Sequence, residues 1–519
     1  MNLGNIEITG DKSVGMSAKT SQIFNRGTID IKSKNQGVGM FGLDGSNVTN
    51  EVTGKIELAS AESNKKPNIG MYSKDITSTL ENLGEISGGD NTYGIYSKDI
   101  LTSGKISLGN KSVGVYSDTE LEASNVDLSG EISVGNNSTA VSVVGKNSSI
   151  IDGSAKIKMG DDSLGYVLRT KSSTLNANST DEVALSQNAT FIFSEDKTAN
   201  ITNKTPLKSS GDKNYGAYVR GNLTNLADID FSSGKGNIGI YHIRNVGETT
   251  GFAVNGQNGL ATQPIIKVGN SDIENKFYSI GMAGGYFDSD TNTLKYTGQI
   301  ENYGKINVVG DKAIGMYAAG KGSKAINHSG AEINLTGEGS IGMYLTDGAT
   351  GENHGTIQTT ADAKTGIKGV VVTGGAILKN YGTIKIEGKK NVAISKSRGG
   401  NVIEESGSNI APLTEEIGKS DTSKEIKNLK IESKPDLPVK VLRNGVEVKP
   451  IFVDTNIASA KAPKVKIIND ELDLKLANLA DIPSLGRASS IGMYIDTSGI
   501  NYTNPIEGLE NLKDLEEIH

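Results

Sequence analysis

Along most of the chain, apolar and polar residues alternate in short runs, as in Ile29-Asp30-Ile31, Ile56-Glu57-Leu58, Ile132-Ser133-Val134 and Ile384-Lys385-Ile386. A period of two puts one set of side chains on one face of a β-strand, whereas an amphipathic helix needs its apolar residues three and four apart. The runs are short, rich in β-branched residues and bounded by Gly, Asn, Asp and Ser, which also selects strand.

These runs recur as one unit: Asn-x-Gly-x-Ile-x-apolar, a short polar turn, then apolar-Gly-apolar-Tyr. It stands as Asn25-Arg26-Gly27-Thr28-Ile29-Asp30-Ile31 followed by Val38-Gly39-Met40-Phe41, and as Asn302-Tyr303-Gly304-Lys305-Ile306-Asn307-Val308 followed by Ile314-Gly315-Met316-Tyr317. The second half returns as Ile69-Gly70-Met71-Tyr72, Tyr93-Gly94-Ile95-Tyr96, Val113-Gly114-Val115-Tyr116, Ile238-Gly239-Ile240-Tyr241, Ile341-Gly342-Met343-Tyr344 and Ile491-Gly492-Met493-Tyr494. Its glycines mostly fall 20 to 34 residues apart from Gly15 to Gly342, and about fourteen units can be traced before the pattern fades near residue 400.

Repeats of this length exclude some solenoids and select another. Leucine-rich repeats need several Leu per unit and a helical convex side, and propeller blades need about 40 residues. The unit therefore predicts an all-β, right-handed parallel β-helix in which each coil holds two or three strands and successive coils stack about 4.8 Å apart. One coil cannot bury its Ile, Val and Met alone, so neighbouring coils continue both the apolar column and the backbone hydrogen bonds. Asn82, Asn302, Asn353 and Asn380 fall at corners, where each can bond its counterpart one coil away. Glycine inside the second strand implies a tight bend or something lying close against that face.

The pattern is interrupted around 170–210, 243–264 and 284–298, read as degenerate coils or as loops leaving the solenoid. From about 405 the chain changes, with seven of its ten prolines between Pro412 and Pro505. Residues 405–485 are expected to form a β-hairpin insertion or subdomain, with one hairpin turning at Asn444-Gly445 and a second about Asn469-Asp470. The coil is expected to resume over 486–519.

Composition narrows the function classes. With 65 Gly, no Trp and 5% aromatic residues, the chain suits thin stacked layers better than a globular core with large anchors. The absence of Cys excludes disulfides, thiolate metal sites and Cys nucleophiles. A net charge of −7 with no basic stripe argues against nucleic acid as a partner. No apolar run is long enough to span a bilayer as a helix, and the first residues do not read as a signal peptide. Because Met1 stands in mid-repeat, the sequence reads as a fragment of something longer.

Taken together, these units resemble the large autotransporter adhesins of the fusobacterial type, whose passengers carry many Gly-Met-Tyr and Asn-x-Gly-x-Ile repeats. The stretch from Ile491 through Gly492, Met493 and Tyr494 to Ile506 looks like one found late in such passengers, upstream of the outer-membrane barrel. The resemblance covers the chain evenly apart from 405–485. It implies type V secretion, display at the bacterial cell surface and a part in virulence through attachment to host cells or coaggregation with other bacteria. This sequence departs from a complete member of the family in showing neither signal peptide nor barrel. The fragment is thus expected to be soluble and monomeric, with the whole protein anchored in the outer membrane.

The search for chemistry favours binding over catalysis. There is no Gly-x-Ser-x-Gly elbow, so neither catalytic residues nor a cofactor are expected. His328 and His354 follow Asn327 and Asn353 one unit apart; as metal ligands they would need a third partner, as stacked corner residues none. Gly418-Lys419-Ser420 lacks the first glycine of a phosphate loop, where Leu413 stands. Asp288-Ser289-Asp290-Thr291-Asn292 opens like a calcium loop but lacks its turn glycine and closing Glu, so no metal site is expected. Tyr72, Tyr96, Tyr116, Tyr241, Tyr317 and Tyr344 form a column that either stacks internally or offers a surface to sugar rings. The expected contact residues are those of the 284–298 loop, Tyr286, Phe287, Asp288, Asp290 and Tyr296, facing a host receptor or glycan or the surface of partner bacteria. Two other functions fit the repeat: a polysaccharide lyase or hydrolase, and a passive stalk whose binding tip lies elsewhere.

Overall fold

The computed structural model describes residues 1–417 except 74, 289 and 290, together with the backbone of Leu442–Arg443 and Val446–Glu447. Every regular element among these residues is a β-strand. The strands stack in parallel as a right-handed β-solenoid of about 16 turns. The described solenoid falls into two compact units, one holding Met1–Leu121 and Glu131–Val144, the other Glu122–Gly130 and 145–417.

In the first unit each turn carries three strands. The first is the alternating one, seen at Thr28–Ile31, Lys55–Leu58, Glu85–Gly88 and Lys105–Leu108. Parallel register sets Ile29, Ile56, Ile86, Ile106 and Ile132 over one another, all at most 1% exposed. The second strand is the glycine-tyrosine run, as in Val38–Leu43, Asn68–Ser73, Thr92–Ser97 and Val113–Asp118. The third ends on a corner residue, as in Gln22–Asn25, Asn47–Asn50 and Thr79–Asn82.

That corner is a ladder of side-chain amides. Asn25 donates to Asn50 and Asn50 to Asn82, each at 2.8 Å, as the sequence led us to expect. In the second unit the ladder runs Asn203, Asn225, Asn255, Asn302, Asn327, Asn353 and Asn380, every step between 2.8 and 3.0 Å. A buried amide must find partners for both its N–H and its oxygen. Stacking identical residues at one coil pitch satisfies both.

The second-strand glycines answer the question left by the sequence. A Cβ on Gly315 would stand 2.6 Å from the carbonyl oxygen of Gly342 and 2.8 Å from Ile333 Cγ2, and Gly39, Gly70 and Gly239 are hemmed in by the same kinds of atom. What lies close is the next coil's backbone and the isoleucine column of the first strand. The register steps over each glycine, pairing Val38 with Ile69 and then Met40 with Met71.

The second unit repeats the scheme with interruptions. Residues 170–210, read from sequence as departing from the unit, make coil strands at Thr174–Ala177, Val183–Leu185, Thr190–Ser194, Asn200–Asn203 and Leu207–Ser209. Phe191 and Phe193 stand there where Gly and Tyr stand in the common unit, which hid the repeat. Within 243–264, Ala253–Asn255 takes a third-strand place, pairing with Leu223 to Asn225, so only its flanks leave the coil. The solenoid also continues past the expected boundary at 404: Asn409–Ile410 pairs with Thr383–Lys385, and Glu415–Ile417 with Val392–Lys396. Leu442–Arg443 pairs antiparallel with Val446–Glu447, while Asn444-Gly445, expected to turn a hairpin there, lies outside the described residues. The remainder of the 405–485 and 486–519 assignments, with Gly418-Lys419-Ser420 and the turn at Asn469-Asp470, lies outside the described residues.

Candidate functional site

Two excursions of the second unit combine into a side sheet. Tyr286–Asp288 pairs antiparallel with Thr293–Thr297, and Thr297 and Tyr296 pair in turn with Arg244 and Asn245. This three-stranded antiparallel sheet differs in kind from the parallel coils. Glycines let it leave. Gly285 sits at φ +76°, and a Cβ there would meet the carbonyl of Ala319 and the hydroxyl of Ser323. On the return, a Cβ on Gly298 would meet the carbonyl of His242 and the amide of Gly285. A side chain at either stem position would push the sheet off the coil.

The base of the sheet is polar and buried. The Arg244 guanidinium donates to the carbonyls of Thr249 at 3.0 Å and Gly322 at 3.2 Å. Glu248 accepts from the Asn245 amide at 3.0 Å and lies 3.7 Å from Arg220 and 3.4 Å from Lys197. His242 is fully buried, and its Nδ1 accepts the Gln299 amide at 3.1 Å. Its Nε2 faces the carbonyls of Arg220 and Gly221 without completing a hydrogen bond. Burial first, and then the charge of Arg244, push its pKa down to about 3, so the ring is neutral.

The residues expected from sequence to make contact divide here. Tyr286, Phe287 and Asp288 are half-buried and reach the surface of the sheet. Tyr296, at 3% exposure, does not: it pairs with both Asn245 and Tyr286 in the middle strand and packs inward. Asp288 accepts the Thr291 amide at 3.2 Å and so closes the hairpin turn; Asp290 lies outside the described residues. Among those residues no three His, Asp or Glu side chains gather as a metal site would require.

The histidines form the second feature. Tyr303 stacks on His328 at 3.8 Å between centroids with the planes 6° apart, and His354 on Tyr381 at 4.4 Å and 5°. These rings follow four consecutive ladder asparagines, so one corner carries a partly exposed aromatic column. Carboxylates flank it: His328 Nε2 lies 2.8 Å from Glu301, and His354 Nε2 3.4 Å from Glu352. The hydrogen bond from His328 holds the Glu301 carboxyl below the usual range despite its partial burial. Tyr303 and Tyr381 escaped notice as partners, although the signal was present: each directly follows a ladder Asn, as the histidines do.

The tyrosine column stacks internally. Tyr72, Tyr96, Tyr116, Tyr241, Tyr317 and Tyr344 are all between 1% and 7% exposed, with Tyr72 and Tyr96 rings 5.2 Å apart and Tyr317 and Tyr344 5.7 Å apart. Burial pushes the hydroxyl pKa of each of Tyr72, Tyr96, Tyr241 and Tyr317 upward.

No helix among the described residues is long and apolar enough to cross a membrane. Comparison of the chain with protein-family models, with curated proteins and with solved structures finds no match in any of the three.

Proposed function

We propose that this chain is part of the passenger of a surface-displayed bacterial adhesin, a stiff non-catalytic scaffold that attaches to host cells or to other bacteria. The observation that carries the reading is the side sheet on the second unit. Coils that repeat one another spend their polar groups on their neighbours. The side sheet departs from that economy: it is built from two separate excursions, held at its base by buried Arg244 and His242 and half-buried Glu248, and ends in half-exposed Tyr286 and Phe287. Aromatic side chains on a rigid support are the usual anchors of recognition. The repeat's resemblance to fusobacterial-type adhesins supports the same reading, and with it type V secretion and an outer-membrane barrel in the whole protein.

The test is saturable binding of the full chain to epithelial cells, to partner bacteria and to a glycan panel. Phe287→Ser, with the β-sheet circular dichroism unchanged, should weaken binding by about tenfold or more, the size of an anchor residue. Binding that survives this change places the contact elsewhere on the chain. A chain that binds nothing on any panel would instead be a passive stalk.

A further inference from the structure

Six successive coils of the second unit share one outward face. Their third strands are Ala253–Asn255, Gln299–Asn302, Lys324–Asn327, Thr350–Asn353, Ile377–Asn380 and Asn401–Glu404. Register aligns Ala253, Ile300, Ala325, Gly351 and Leu378 as one buried column, with the ladder asparagines as another. The residues between these columns point outward, because a strand alternates sides. One outward row therefore runs Val254, Glu301, Ile326, Glu352, Lys379 and Ile403. The corner beside it carries the partly exposed rings of Tyr303, His328, His354 and Tyr381.

Two patterns on this face share one centre, between the coils of His328 and His354. The corner reads Tyr-His-His-Tyr, the same from either end. Charge reads oppositely from the two ends. Glu301 stands one and a half coils before the centre and Lys379 one and a half coils after it, while between them Lys324 spends its charge on Glu352 at 2.9 Å. Lys379 makes no ion pair among the described residues. One coil farther out on either side stands an exposed apolar side chain: Phe252, directly before Ala253–Asn255, at 39%, and Ile403 at 36%. A face that is symmetric in shape and antisymmetric in charge about one point is complementary to its own copy turned end for end.

We propose that this face pairs with the same face of a second copy of the chain, the two sets of coils running antiparallel about a two-fold axis that crosses them at that centre. Glu301 of each copy then meets the partner's Lys379, and His328 the partner's His354. The apolar end at Phe252 meets the partner's Ile403. A parallel pairing would instead set Glu301 on Glu301 and Lys379 on Lys379. Six coils span about 24 Å and the outward strand with its corner about 17 Å, on the order of 400 Å² per copy. A stable complex buries about 800 Å² per partner, so the pair is weak: the chain is monomeric when dilute and dimeric when concentrated. The pairing needs no host ligand and does not involve Phe287, so its test and that of the side sheet stand or fall separately.

Sedimentation velocity of the full chain, from low micromolar to near-millimolar concentration, tests this. The unchanged chain should pass from monomer to dimer across the series. Glu301→Lys and Lys379→Glu should each weaken self-association by about tenfold or more, since each sets two pairs of like charges in contact. Mixed in equal amounts, the two variants should regain it to within about threefold, because each supplies the charge that the other has lost. The double variant, with both charges exchanged, should pair with itself as the unchanged chain does. A chain that stays monomeric throughout, a dimer that survives either single charge reversal, or a mixture that associates no better than its components would each overturn the proposal.

Discussion

The side-chain amide of Asn327 donates to Asn353 Oδ1 at 2.9 Å while its own oxygen accepts from Asn302 Nδ2 at 3.0 Å. One buried side chain thus ties three consecutive coils, and the same relation repeats along the corner.

Asn327→Ala should strip one N–H of the Asn302 amide, which keeps its bond to the Gly304 carbonyl, and the Asn353 oxygen of their partner. At about 1–3 kcal/mol for each buried group so stranded, the loss is on the order of 2–6 kcal/mol. In a solenoid it is felt locally before it is felt globally. Hydrogen exchange of the coils on either side should rise while distant coils keep their protection; uniform exchange would refute the local ladder.

Gly315→Ala should destabilise by about 1–3 kcal/mol, the usual cost of overpacking. The obstructing atom is a backbone oxygen at 2.6 Å, which cannot rotate away as a side chain would. Gly330→Ala is the control. It has no neighbour within 4 Å, so its cost should come from its φ of +81° alone. Urea midpoints of the two variants decide between crowding and backbone strain.

Lys111 holds the turn before the second strand at φ 55°, with its side chain exposed. A left-handed conformation costs an L-residue about 1–2 kcal/mol, and more for a β-branched one. Lys111→Val should therefore lower the urea midpoint, whereas Lys111→Gly should be close to neutral, its relief of strain offset by the entropy glycine loses on folding. Equal effects from both would show that φ does not matter there.

Stability at the base of the side sheet should depend on pH through His242. The folded pKa, about 3, lies below the ordinary value of 6.5, so the unfolded state binds the proton more readily. The contribution is fully present above pH 6.5 and is lost as pH falls from there toward 3. Exchange at the Gln299 amide, which donates to His242, should quicken across that window. In His242→Gln this part of the pH dependence should flatten; an unchanged profile would assign it to the carboxylates.

The sequence by itself determined the strands, their parallel stacking and the Asn corner, because each is a local pattern of period two or a residue type repeated at one coil pitch. It also marked 284–298 as an excursion and Tyr286 and Phe287 as its aromatics, since a loop announces itself by breaking a repeat. Tertiary structure alone decided the rest. Two excursions 40 residues apart along the chain, at Arg244 and Gly284, join in one antiparallel sheet, and that pairing turns Tyr296 inward. Whether Ile-Gly-Met-Tyr crowds its glycine against a neighbour or bends there depended on the carbonyl of the next coil, an atom no single unit contains. The coils at 170–210 kept the geometry while losing the signature, because a coil needs volume and register, which Phe191 and Phe193 supply without the usual letters.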